Sequence, residues 1–169
     1  MAKVLERSLY KTDYYAWTKQ QAAALRAMAA RGESPTLDLE NLAEEVESLG
    51  RSDLNMVRSQ VRRIIEHLLK LEFSPSAPPR ADWRYSVAEA RDQVEDHITA
   101  SMRADVAADL GRLFERARRN AAIGLGRHGE QDAAKTLPEA CPYSLEQIVN
   151  HDWHPKNRHA IVDSAEETV

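Results

Sequence analysis

The sequence predicts an all-α fold, a helical bundle of five main helices with a short sixth helix near the C-terminal end. Apolar residues recur at three- and four-residue intervals through most of the chain. Helix caps and stops fall at the ends of those stretches. No run of alternating β-branched residues competes with them. Each apolar stripe covers one face only, so each helix must bury its stripe against the others.

The elements follow in order. Thr12 or Asp13 caps a helix over about 14–30, with a stripe of Tyr14, Trp17, Thr18, Gln21, Leu25 and Met28 and stop signals at Gly32 and Pro35. Asp38 opens a second helix, in which Leu39, Leu42, Ala43, Val46 and Leu49 repeat at helical spacing. Gly50 stands where a left-handed residue would end that helix. Ser52 caps a third helix running to Phe73, ~33 Å long at 1.5 Å per residue. It carries the strongest amphipathic signal: Leu54, Val57, Val61, Ile64, Ile65, Leu68 and Leu71. The tight turn at Gly50 makes helices two and three an antiparallel hairpin. Pro75, Pro78 and Pro79 end the third helix. A fourth follows Asp82 (Trp83, Val87, Ala90, Val94, Ile98) and a fifth follows Ser101 (Met102, Val106, Leu110, Leu113, Ala117, Ala121). Residues 124–142 read as a loop. Ser144 and Gln147 form a capping box for the short last helix, which ends near Asn150.

The chain of 169 residues suits one domain, placed at 8–155, with a polar, frayed tail over 156–169. A net charge of −4 argues against a dedicated nucleic-acid coat or a polybasic membrane anchor. One cysteine excludes an internal disulfide framework. There is no signal-peptide core near the N-terminus and no stretch of roughly 18 apolar residues, so the expected location is the cytoplasm.

Four carboxylates, Glu40, Glu44, Glu45 and Glu47, lie within one short segment. Such clusters on bundle helices can bind a divalent metal. The simpler reading is a solvated acidic face near a helix N-terminus. The Glu-x-x-His and His-Glu-x-x-His patterns of metal enzymes are absent, and Ser48 stands where a paired-glutamate pyrophosphatase pattern needs Glu. His67, at the edge of the third helix's stripe, could act as ligand or base if it met those carboxylates. Glu44, Glu47, His67 and Lys70 would then make the site. Arg58, Arg62 and Arg63 line one helix, and Arg112, Arg116, Arg118 and Arg119 another. Fixed cationic spacing can hold phosphates, but pairing with the acidic helix explains the first row equally well. Cys141 sits in a loop with no visible base, and His151, Asp152, His154 and His159 fall in the tail.

Several segments together resemble a known family. They are Asp13 to Trp17 (DYYAW), Gln21 with Ala22, Leu37 to Ser52 (LDLENLAEEVESLGRS), His67 to Leu71 (HLLKL), Trp83 after the proline break, and Cys141 to Ile148 (CPYSLEQI). The chain is similar over roughly residues 8–155 to the domain of unknown function 29 family of cyanobacteria and proteobacteria. Glu72 and Phe73 replace its usual aromatic and glutamine, and His151 to His154 (HDWH) replaces a more usual acidic and apolar stretch. The resemblance implies an all-helical protein and no activity.

The expectation is a non-catalytic helical interaction module, binding another protein or a second copy of itself, with no cofactor and no membrane. The alternatives are a metal-dependent enzyme built on the glutamate-rich helix and His67, and nucleic-acid binding through the arginine rows. An enzyme brings Glu44 or Glu47 to His67. A module leaves those side chains in solvent or on arginines, with an exposed apolar patch on one helix pair.

Overall fold

One aspartate starts two helices. In the computed structural model, which describes residues 9–34 and 36–161, Asp13 ends a helical turn over 9–12 and caps α1 (Tyr14–Ala30) by accepting from the Ala16 amide at 3.0 Å. The same carboxylate accepts from the Ser101 amide at 2.9 Å and the Ser101 hydroxyl at 2.6 Å, at the start of α4 (Ala100–Ala108). Burial pushes this carboxyl up. The bonds from Ser101, Ala16 and Thr99 outweigh burial and hold it below the usual aspartate range. Because the folded value is depressed, the unfolded chain takes up the proton first. Asp13 therefore stabilises the fold above the ordinary aspartate range, and that contribution is lost as pH falls through the folded value. Asp13→Ala is expected to cost ~1–3 kcal/mol near neutral pH. Urea unfolding of both proteins from neutral to strongly acidic pH should show the gap closing, and a pH-independent gap would refute this account.

α1 ends as the sequence indicates. Gly32 has φ +69°, and its amide and that of Glu33 close onto Ala29 O at 3.0 Å and Met28 O at 3.1 Å. The expected stop at Pro35 lies outside the described residues, as do residue 8 and residues 162–169 of the expected tail. The buried side of α1 is Tyr15, Thr18 and Ala22. The stripe read from sequence, apart from Thr18, sits one residue to the side, with Tyr14, Trp17, Gln21, Leu25 and Met28 only half-buried.

The largest departure is α2 (Leu39–Phe73), one unbroken helix of 35 residues opened by Asp38, which accepts from the Asn41 amide at 3.2 Å. Gly50 does not end a helix, so the expected hairpin between helices two and three is absent. Thr18 and Tyr15 of α1 press onto Gly50 instead, leaving no room for a Cβ. An antiparallel pair does form, between α1 and α2: Tyr14 lies near Asp53, Thr18 meets Gly50, and Arg26 meets Glu47, with numbers rising on one helix as they fall on the other.

The chain divides into two compact units. The first holds the described residues up to Val57 together with His97–Val106, and the second holds Arg58–Asp96 and the described residues from Ala107 onward. In the second, Val61, Ile64, Ile65, Leu68, Leu69 and Phe73 of α2 are buried with Val87, Ala90 and Val94 of α3 (Arg80–His97) and Phe114, Ala117, Ala121 and Leu125 of α5 (Leu110–Arg127). The expected fifth helix is thus two elements, α4 and α5, parted at Asp109. The expected loop after residue 124 is still helix to Arg127. It stops at Gly129 (φ +81°), whose following amide, on Glu130, donates to Leu125 O at 2.9 Å. α6 (Gln131–Lys135) and α7 (Leu145–Val149) follow, the latter with its full Ser144–Gln147 capping box. No strand occurs among the described residues.

Two arginines lie in this core. Arg80 donates to Leu71 O at 2.7 Å. Among the described residues, Arg91 hydrogen-bonds to no carboxylate. Its guanidinium donates to Ile148 O (2.9 Å), Trp153 O (2.9 Å), Gln147 O (3.2 Å) and His151 O (3.4 Å). Residues 157 and 158 are tied back to the end of α2. Asn157 donates to Leu71 O at 2.8 Å and Ser74 O at 2.9 Å, and Arg158 holds Glu72 at 3.0 Å, opposite the Tyr143 hydroxyl at 2.7 Å.

Candidate functional site

Glu40, Glu44 and Glu45 are exposed on the first half of α2. Glu47 meets Arg26 at 2.7 Å, with Arg51 at 3.9 Å, and the Arg26 guanidinium holds its carboxyl below the usual glutamate range. Arg26 is drawn also by Glu40 and Glu44, so the acidic segment gathers around one arginine of α1.

His67 and Lys70 belong to the second unit. Lys70 is buried, bonds to Glu66 at 2.7 Å one turn earlier, and runs over Gly124 of α5, where a Cβ would stand 2.8 Å from its Cε. Burial, then the Lys70 ammonium, pull His67 down to about 4, with Glu66 opposing. The imidazole is therefore neutral at pH 7 and a weak base, and its buried Nδ1 has no hydrogen-bond partner. Glu44 and Glu47 belong to the first unit and His67 to the second. Among the described residues, no three or more His, Cys, Asp or Glu side chains are grouped to hold a metal ion.

Three of the seven arginines in the two rows are in ion pairs among the described residues, while Arg116 and Arg119 are exposed. Arg58 pairs with Asp109, which also takes Arg112 at 2.9 Å, and Arg63 pairs with Glu89 at 2.9 Å. Arg62 reaches the Ser59 hydroxyl at 3.4 Å. Burial pushes the Cys141 thiol up, the reverse of what a nucleophile needs. His151 lies between Asp92 and Glu95, and His159 meets Phe73 O at 3.1 Å.

Sequence reasoning named the acidic residues and missed the apolar ones beside them. Leu42 and Leu49 are 43% and 53% exposed, and Val46 between them is half-buried. At ~100° per residue these three fall within ~60° of one another on α2. Tyr14, Trp17, Gln21, Leu25 and Met28 form a matching row along one flank of α1. Tyr14 lies near Asp53, and Asp53 is in register with Leu42, so both rows belong to one face of the pair. Arg26 and Glu47 occupy the other flank. At one end of the apolar row Tyr14 stacks on Trp17 with centroids 5.5 Å apart, and Tyr10, 52% exposed, stands edge-on to Trp17 at 4.7 Å. The signal was available in the sequence. Leu42, Val46 and Leu49 stand about 90° round α2 from Ala43, Gly50, Leu54 and Val57, too far for one helix to bury both rows against a single neighbour.

The structure is thus an all-helical protein, and no helix among the described residues is long and apolar enough to cross a membrane. Residues 9–154 match the family model described as Domain of unknown function DUF29, and the chain belongs to that family. A crystal structure of an alpha-helical protein of unknown function from Rhodospirillum rubrum is similar, at 32% identity with a TM-score of 0.74. The match covers 85% of this chain and 92% of that one. No curated protein matches.

Proposed function

We propose that this chain is a non-catalytic helical interaction module of the bacterial cytoplasm, working through the apolar face of the α1/α2 pair. The observation that supports this reading is the row of exposed Leu42 and Leu49 with half-buried Val46, on the face of the pair that also carries Tyr14 and Trp17. Leucines this exposed along one helix face cost free energy in water, at ~25 cal/mol per Å² of apolar surface, and covering them returns it. The reading takes a partner protein or a second copy as occupant. Of the carboxylates the metal-enzyme alternative could use, Glu47 already bonds to Arg26, and of the arginines the nucleic-acid alternative would use, Arg58, Arg63 and Arg112 already face Asp109 or Glu89.

Native mass spectrometry of the untagged chain from its own host tests the reading. The expected result is an oligomer or a complex with a second protein, lost in Leu42→Ser/Leu49→Ser while far-ultraviolet circular dichroism stays unchanged. A monomer carrying a divalent metal that is lost in Glu44→Ala or His67→Ala would overturn it.

A further inference from the structure

The apolar face carries charge of one sign. Between Thr36 and Gly50 the chain has Asp38, Glu40, Glu44, Glu45 and Glu47 and no basic residue. Glu40, Glu44 and Glu47 turn to the flank where Arg26 stands. Asp38, Glu45 and Asp53 lie within ~60° of Leu42 around the helix axis, on the apolar side. Glu45 is exposed, and Arg51 points to the opposite side of α2. On α1 the row Tyr14, Trp17, Gln21, Leu25 and Met28 is uncharged. At one end, the Asp53 carboxylate is felt electrostatically at Tyr14, which stacks on Trp17, and a carboxylate with aromatic rings on one face suits a lysine or arginine side chain.

Resting on the interaction reading above, we infer that the occupant of this face is a basic amphipathic helix of another protein. Its apolar residues, spaced at three and four, lie over Leu42, Val46 and Leu49, and its lysines or arginines meet Glu45 and Asp53. The charge pattern disfavours a second copy. A two-fold contact sets the same patch against itself, so Glu45 and Asp53 of both copies would line one apolar seam with no base to answer them.

The full chain is titrated calorimetrically with two synthetic helical peptides that share one leucine pattern, one carrying lysines and the other glutamates at the remaining positions. The lysine peptide is expected to bind at least about tenfold tighter. Glu45→Lys/Asp53→Lys is expected to invert that preference, and Leu42→Ser/Leu49→Ser to weaken both peptides about tenfold or more. Equal affinity for the two peptides, or a lysine preference unmoved by Glu45→Lys/Asp53→Lys, overturns the inference, since the peptide then reads the acidic chain at large. If neither peptide binds and sedimentation shows self-association lost in Leu42→Ser/Leu49→Ser, the occupant is a second copy. The inference then falls while the module reading stands. No binding and no association would overturn both.

Discussion

Replacing Arg91 with methionine is expected to lower stability by ~3–5 kcal/mol and the melting temperature by about 10 °C or more. The side chain is buried in the second unit, and its four hydrogen bonds all go to main-chain carbonyls between Gln147 and Trp153. Gln147 and Ile148 are in the last turn of α7, whose carbonyls carry the negative end of its dipole; Gln147 O also accepts from the C-cap Asn150 amide at 3.4 Å. One planar guanidinium therefore caps a helix and fastens the chain beyond it. Burial lowers Arg91 to about 10, so it stays charged near neutral pH and its donors keep their full strength. Methionine fills much of the volume and donates nothing, which leaves buried acceptors dry. Arg91→Lys should recover only part of the loss, because an ammonium on a flexible stem cannot match the planar fork. Hydrogen exchange gives the second readout: amides of 145–161 should lose protection before those of the α2 core. A melting temperature within a degree or two of the wild type would mean that water replaces the guanidinium.

Gly50→Ala is expected to destabilise the first unit by ~1–3 kcal/mol. In an ordinary helix interior the same change stabilises by about 1 kcal/mol. Here the new Cβ would collide with the Thr18 hydroxyl and stand 3.2 Å from both Thr18 Cβ and Tyr15 Cδ2. Thr18 cannot easily yield, since it is buried, β-branched and donates to Tyr15 O at 2.8 Å. A double-mutant cycle with Thr18→Ala isolates the contact. The pair should be more stable than the sum of the single changes, because the methyl at 50 takes space that the hydroxyl gives up. Stabilisation by Gly50→Ala alone would show that α1 and α2 do not approach as closely as described.

What the sequence determined by itself is the part governed by short-range forces. Asp13, Asp38, Gly32 and the Ser144–Gln147 box mark helix ends through hydrogen bonds spanning three to five residues, and proline stops α2 through sterics at one position. The apolar row from Leu54 to Leu71 is buried as its spacing requires. Segment resemblance added the family and an all-helical fold. The tertiary structure decided the rest. A glycine in a helix pattern reads the same whether it ends the helix or admits a neighbour, and only the arrival of Thr18 shows that Gly50 does the second. That single difference turned two expected helices into one. Nothing local in the sequence marks Arg91 as buried, because its acceptors lie 56 to 62 positions away. The face bearing Leu42, Val46 and Leu49 looked like core because spacing records that a row is apolar but not whether anything covers it. Only packing in three dimensions left that row in water, and it is there that the proposed partner docks.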